Sequence, residues 1–101
     1  MFIYNVTIKV MHSVVDQWIE WMRAEHMDDM LATGQFTSYK LHKLLEHDDE
    51  EGVTFVVQYY CNEKSDYENY IDKYSEQLRN KGYAKFGDKY IAFRTVMEVI
   101  V

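Results

Sequence analysis

The chain contains no proline, only four glycines and a single cysteine among its 101 residues. So little proline and glycine excludes collagen-like repeats and flexible linkers, and a hydrophobic share of 48% excludes an intrinsically disordered chain. The lone cysteine, Cys61, cannot form an internal disulfide, which is typical of a protein of the reducing cytoplasm. We therefore expect a cytoplasmic protein with one domain spanning residues 1–101.

Long apolar runs and excess positive charge are also missing. No stretch approaches the roughly 20 apolar residues that a transmembrane helix needs. The net charge of −6 repels phosphate groups, so we expect neither nucleic acid nor an anionic membrane as a partner. The first residues, Met1 to Asn5, lack a basic region and a cleavable apolar block, so no signal peptide is expected.

The first half of the chain shows two clear periodicities. Alternating apolar residues predict a strand over 2–11. Ser13 is a candidate N-cap for a helix over 14–32, in which apolar residues recur at helical spacing. Gly34 fits the position just past the end of that helix.

The following residues predict a β-hairpin. Residues 35–46 are extended and interrupted by polar side chains, as in an edge strand. Residues 53–62 form the strongest strand pattern of the chain, and the acidic segment from His47 to Gly52 joins the two strands as a turn.

The last part predicts a helix and a strand. Ser65 and Glu68 have the spacing of a capping box, which predicts a helix over 66–81 that Gly82 ends. Residues 89–100 alternate again and predict the final strand. The order βαββαβ, with right-handed crossovers, predicts an α+β ferredoxin-like fold: a four-stranded antiparallel sheet with two helices on one face.

Two helices cover only one face of such a sheet. We therefore divide the alternating residues of the strands into an apolar set and a mixed set, one for each face. We assign the apolar set to the helix layer: Phe2, Tyr4, Val6, Ile8, Val10, Phe55, Val57, Tyr59, Ile91, Phe93, Met97 and Val99. The opposite face then carries Asn5, Thr7, Lys9, Ser38, Lys40, His42, Val56, Gln58, Tyr60, Tyr90, Arg94, Val96 and Glu98. This mixed face is too apolar to stay wet and too polar to be buried unpaired. A second copy of the chain is therefore the expected cover, and RNA is disfavoured by the acidic charge.

Several residues could form a ligand site. His26 shares the inward stripe of the first helix with Trp18 and Met22, where an imidazole could act as a general base or orient a ligand. The structural alternative is a histidine hydrogen-bonded at a helix end.

Three residues of the mixed face form a second group. His42, Tyr60 and Arg94 lie on three different strands and could hold a carboxylate or a phenolate in a dimer pocket. The alternative is an interface hydrogen bond or salt bridge between two copies.

No metal site is expected. His12, His26, His42 and His47 do not have the spacing of ligand pairs, and Cys61 has no CxxC partner. Cys61 is better explained as a small buried apolar residue.

The motifs of the first half of the chain resemble those of a known superfamily. A strand followed by Trp18-x-x-Trp21-Met22-x-x-x-His26, then Leu31 and a glycine turn, resembles the dimeric α/β-barrel superfamily, which includes antibiotic-biosynthesis-type monooxygenases. The whole chain also resembles a small single-domain family of unknown function. The resemblance implies a ferredoxin-like protomer that dimerises through its sheet, and a pocket between sheet and helices in which enzymes of the superfamily act on small aromatic or hydrophobic molecules. His26 matches their pocket-facing histidine. Their complete catalytic sets and a haem ligand are not matched, so no cofactor is expected.

The residues and the resemblance together leave three functions open. The first is a homodimeric module without catalytic activity that binds a small molecule or a protein partner. The second is a cofactor-independent monooxygenase or isomerase acting on a small aromatic compound. The third is a haem-binding barrel protein.

Overall fold

A computed structural model describes residues 1–101 and shows one four-stranded antiparallel sheet in the order β2-β3-β1-β4. The strands are β1 Phe2–Met11, β2 Ser38–Lys43, β3 Gly52–Cys61 and β4 Tyr90–Glu98. Helices pack on one face of this sheet. The ferredoxin-like fold predicted from the βαββαβ order is thereby confirmed.

The first crossover is a single long helical segment. A 3-10 turn at His12–Val14 comes first, and Val14 has a φ of −124°. It is followed by α1 Val15–Trp21, a π-helical segment at Met22–His26 and α2 Met27–Ala32, which continue one another without a break in helical backbone geometry. The predicted helix over 14–32 is confirmed. Ser13 makes no capping hydrogen bond, because it lies inside the 3-10 turn. Gly34 has a φ of 78°, as expected for the residue that follows a helix end.

The second crossover departs from the sequence prediction. It consists of α3 Lys64–Lys73 and α4 Ser75–Phe86, separated at Tyr74, where φ is −126°. The helix starts earlier than predicted because Glu63 and Asp66, rather than Ser65 and Glu68, form the capping box.

Gly82 does not end this crossover but lies buried inside α4. A Cβ atom there would lie 2.6 Å from the Tyr90 hydroxyl oxygen, so glycine permits close packing. The crossover ends at Gly87 instead, where φ is 58°.

The second strand is also shorter than predicted. Strand β2 covers Ser38–Lys43 instead of 35–46. At its start, Phe36 leaves the sheet to pack into the core, where it is 4% exposed. At its end, Glu46 adopts a positive φ of 54°, which turns the chain away from β3.

The core lies between the helices and the sheet face that carries Tyr4, Val6, Ile8 and Val10 of β1. Alternate residues of β3, from Phe55 to Cys61, share this face, as predicted. None of the helices is both long and apolar enough to cross a membrane.

The side chains of strand β4 point to the opposite faces of the sheet from those predicted. Its register pairs Val6 with Arg94 and Thr7 with Phe93. Directly paired residues point to the same side of a sheet, so Arg94 faces the helices and Phe93 faces away. The assignment of Ile91, Phe93 and Met97 to the helix layer, and of Tyr90, Arg94, Val96 and Glu98 to the open face, was therefore wrong. Both sets of alternate β4 residues contain large apolar side chains, so hydrophobicity alone could not choose between them.

The close packing of Gly82 generates a prediction for Gly82→Ala. Alanine in a helix interior gains about 1 kcal/mol over glycine. We expect this gain in unfolding free energy in a Tyr90→Phe background, where no hydroxyl meets the new methyl group, and a smaller or absent gain in the wild type. Urea unfolding of the four proteins measures both values. Equal gains in both backgrounds would show that the hydroxyl does not restrict this position.

Candidate functional site

A cavity of about 50 Å³ lies between the helices and the sheet. Residues from β1, β3 and β4 form its floor, and residues from the helical crossovers form its walls. Most of this lining is apolar. Its polar members are the four tyrosines Tyr4, Tyr59, Tyr70 and Tyr90, together with His26, Arg79 and Arg94.

His26 enters the cavity at the end of the π-helical segment. In a π-helix, residues five apart are one turn apart, and Trp21 and His26 have this spacing. Their rings stack with centroids 4.6 Å apart and planes at 25°. The Trp21 Nε1 donates to Glu25 Oε2 at 2.6 Å, which fixes the indole against which the imidazole rests. The His26 Nδ1 is buried and has no hydrogen-bond partner.

Burial lowers the pKa of His26 from 6.5 to about 4. Desolvation of the cation is the main cause; the carboxylates of Asp29 and Glu25 oppose it, and the positive charges of Lys81 and Arg94 add to it. The imidazole is therefore neutral near pH 7 and can accept as well as donate a hydrogen bond.

Two arginines bring positive charge to the same cavity. The Arg79 Nη2 donates to the Tyr4 hydroxyl at 3.1 Å, while its Nε is buried without a partner. Arg94 makes neither a side-chain hydrogen bond nor a salt bridge; the one salt bridge of the structure joins Lys81 Nζ to Asp29 Oδ2 at 3.0 Å. The cavity lining contains no aspartate or glutamate, although the chain has 17 of them.

The hydroxyls of Tyr59 and Tyr70 in the cavity remain protonated. Desolvation raises the pKa of Tyr59 and of Tyr70, and the neighbouring tyrosines raise both further. The positive charge of Arg94 opposes this effect and lowers the pKa of both hydroxyls. Hydroxyl groups in this state can donate hydrogen bonds to a ligand.

The six residues singled out in the sequence divide between the two sides of the sheet. Trp18, Met22, His26 and Arg94 line the cavity together. His42 and Tyr60 lie on the opposite face, and so they cannot share a site with Arg94 within one protomer. His42 is exposed and pairs with Val56, and the Tyr60 hydroxyl donates to Gln58 Oε1 at 3.0 Å.

Sequence reasoning missed Arg79, Tyr70 and Tyr90 as cavity residues. Arg79 follows the apolar residue Leu78 in α4, and a charged residue beside an inward stripe usually points to solvent. The one signal in the sequence was the Tyr90–Arg94 spacing, which places both on one side of a strand.

The face of the sheet opposite the helices exposes apolar side chains. Its outer strand presents Ile91, Phe93 and Met97 with exposures of 58%, 67% and 38%. We call these three residues the open-face patch. No helix packs on them, and in the sheet register they pair with Lys9, Thr7 and Ile3 of β1.

The cavity does not fit a haem. Pockets for drug-sized ligands have volumes of roughly 300–1,000 Å³, several times larger than this one. The structure also contains no group of three or more histidine, cysteine, aspartate or glutamate side chains placed to hold a metal ion.

A family model described as a domain of unknown function (DUF4286) matches residues 1–100. No curated protein matches the chain. Among solved structures, a dimeric ferredoxin-like protein from an uncultured marine organism has a TM-score of 0.68 at 15% identity, covering 100% of this chain and 96% of its own.

Two other similar structures carry functional names. SnoaB, a cofactor-independent oxygenase from Streptomyces nogalater, has a TM-score of 0.66 at 9% identity, covering 99% of this chain and 94% of its own. A variant of MhuD with two manganese protoporphyrin IX bound per active site has a TM-score of 0.59 at 12% identity, covering 98% and 95%. At these identities the similarity supports the shared fold alone.

The low pKa of His26 generates a prediction for pH-dependent stability. Between pH 6.5 and pH 4 the unfolded chain binds a proton at this residue and the folded chain does not. Stability is therefore full above pH 6.5 and falls as the pH drops towards 4, by up to about 3 kcal/mol. Urea unfolding of the wild type and of His26→Gln across this range isolates the effect, because the variant keeps all other titrating groups. Parallel curves for the two proteins would contradict the prediction.

Proposed function

The chain belongs to the DUF4286 family, and we propose that this member is a homodimer of single ferredoxin-like domains, spanning residues 1–101, that binds a small molecule in its cavity. The observation that carries the proposal is the set of unsatisfied polar groups around one cavity. His26 Nδ1 and Arg79 Nε are buried without partners, and Arg94, which is partly exposed, has no hydrogen-bond or salt-bridge partner. An unsatisfied buried polar group costs about 1–3 kcal/mol. A ligand that satisfies these groups explains why they are gathered there.

The cavity limits the size of this ligand. One water molecule needs roughly 10–15 Å³ of such space, so a volume of about 50 Å³ accommodates a few heavy atoms. The ligand is therefore a compact molecule, or one end of a larger molecule whose remainder lies outside. Tyr90 stands at this boundary, because it lines the cavity and also stacks on the exposed Tyr83 with ring centroids 5.7 Å apart.

The open-face patch supports the proposed homodimer. Four strands spaced by about 4.8 Å, with up to ten residues each rising by about 3.3 Å, form a face of about 600 Å². A standard interface buries about 800 Å² per partner, so the sheet supplies most of the area needed. A second copy would remove Ile91, Phe93 and Met97 from water. The dimeric state named for one of the similar structures agrees with this arrangement. The reducing cytoplasm is the proposed compartment, because Cys61 is a free, buried thiol.

A second candidate function is a cofactor-independent monooxygenase or isomerase. The observation that favours it is the neutral imidazole of His26, which faces the same cavity as two guanidinium groups. Such an imidazole can remove a proton, and the guanidinium groups can stabilise the negative charge that develops. His26→Gln should then lower turnover by a much larger factor than it weakens ligand binding.

The cavity proposal predicts the effect of filling it. Ala92 lines the cavity, whereas Ala84 is exposed on α4. We expect compounds of up to about five heavy atoms to shift the methyl NMR signals of Met22 and Met30 in the wild type and in Ala84→Leu. Ala92→Leu should abolish these shifts because its side chain occupies the space, and Ala92→Val serves if leucine impairs folding. Shifts that persist in a folded Ala92 variant, or a wild type that binds none of the compounds at millimolar concentration, would refute the proposal.

The dimer proposal predicts the effect of a charge in the open-face patch. Wild-type protein should sediment at about twice the chain mass of 12.2 kDa at micromolar concentration. Phe93→Glu should sediment as a monomer, because the carboxylate would have to be buried in the interface. Leu45→Glu is the matched control, since Leu45 is 73% exposed and lies in the loop after β2. A monomeric wild type, or a dimeric Phe93→Glu, would contradict the arrangement.

A further inference from the structure

The cavity combines two cationic groups with an absence of acids, and this combination restricts the chemistry of its ligand. We infer that the cavity recognises a small monocarboxylate, whose carboxylate binds Arg94 and whose compact apolar remainder lies against Val6, Ile8 and Ala92. The inference names the ligand class for the site proposed above and rests on that proposal.

Charge balance is the first argument. Arg79 and Arg94 each contribute a positively charged guanidinium group. The lining offers no carboxylate to compensate them. The two acids that raise the pKa of His26 have other partners, since Glu25 accepts from Trp21 and Asp29 pairs with Lys81. A partly desolvated charge without a partner is unfavourable, and an anionic ligand would supply that partner.

The different states of the two arginines form the second argument. Arg79 is held in place by its hydrogen bond to the Tyr4 hydroxyl. Arg94 has no protein partner, so its donors are available to a ligand. A guanidinium presents two parallel N–H groups that match the two oxygens of a carboxylate. Arg94 is thus the binding residue, and Arg79 adds positive charge from a fixed position.

The backbone around the cavity favours a carboxylate over a phosphate. Phosphate sites commonly use free backbone N–H groups at helix N-termini. Here the helices contribute residues from Trp18, Tyr70 and Leu78 onwards, which lie beyond the first three residues of their helices. Their N–H groups are used within the helices, as in the Leu78 N–H donating to the Tyr74 carbonyl. The lining also contains no lysine. A largely apolar wall with one free guanidinium suits a single negative charge.

The position of Arg94 adds a third argument. Its partner in the sheet register is Val6, which belongs to the apolar core. Both neighbours of Arg94 on the same side of β4, Ala92 and Val96, are apolar as well. An arginine that served only solubility would lie on the exposed side of this edge strand. Its placement among apolar residues indicates a specific anionic partner.

The test uses acetate and propionate, the neutral amides acetamide and propionamide, and inorganic phosphate as probes. Trp18 and Trp21 line the cavity, so tryptophan fluorescence titration of the full-length protein reports binding. At least one carboxylate should bind ten-fold or more tightly than its own amide and than phosphate. Arg94→Met should weaken carboxylate binding at least ten-fold, and Arg94→Lys should restore part of it. Arg23→Met is the matched control, because it removes an exposed guanidinium outside the cavity lining and should leave the affinity unchanged.

Thermal unfolding distinguishes a variant that no longer binds the ligand from a variant that no longer folds. Arg94→Met should fold with a melting temperature equal to or higher than that of the wild type, because the lost guanidinium has no protein partner. The preferred carboxylate should raise the melting temperature of the wild type and not that of Arg94→Met. An Arg94→Met that melts well below the wild type, with unchanged carboxylate affinity, would assign Arg94 a structural role and overturn the inference.

The remaining outcomes separate this inference from the proposal on which it rests. Amides that bind as tightly as carboxylates and still shift the Met22 and Met30 methyl signals would overturn the carboxylate preference while leaving the ligand cavity in place. Tighter binding of phosphate would likewise overturn the ligand class alone. If neither these probes nor the broader set of small compounds binds at millimolar concentration, both the inference and the proposed function fail.

Discussion

The register of β4 against β1 is the constraint on which the functional interpretation depends. Strand β4 has no other neighbour in the sheet, so its pairing with β1 alone decides which of its side chains meet the helices. Because successive residues point to opposite faces, this register sends Arg94 into the protein and Phe93 out of it. A shift by one residue would exchange the two and remove both the cationic cavity and the exposed aromatic ring.

The two consequences of this register occur on opposite faces of one sheet. Beneath the helices, the core is tightly packed on one side of the cavity, where Tyr4 lies within 6.0 Å, between ring centroids, of Phe36, Tyr59, Tyr67 and Tyr70. Such aromatic pairs contribute about 0.5–1.5 kcal/mol each beyond the area they bury. This packing offsets the cost of the unpaired polar groups around the cavity. On the other face, the open-face patch has no comparable packing within the protomer. The proposed homodimer therefore uses this open face, whereas the proposed ligand site lies under the helices.

The periodicity of apolar residues predicted most of the helices and strands. Features that depend on contacts between residues far apart in the chain could not be predicted from it. The strand over 2–11 and the helix over 14–32 have strong, single periodicities, and their positions were predicted to within about a residue. In β4 the apolar residues alternate on both sides, so only the pairing with β1 reveals the direction of Arg94. Gly82 does not end a helix. Its lack of a side chain instead makes room for the Tyr90 hydroxyl, which belongs to a residue eight positions later in the chain. His26 and Arg94 were both identified as candidate residues, but their meeting in one cavity depends on the fold.

The register of β4 can be measured directly from nuclear Overhauser effects between its side chains and those of β1. The structure predicts contacts of the Arg94 side chain with the Val6 methyl groups, and of the Phe93 ring with the Thr7 methyl group, in uniformly labelled protein. Contacts of the Phe93 ring with Val6 and with the His26 ring would instead place the aromatic residue under the helices. That result would contradict the cationic cavity and the open-face patch together.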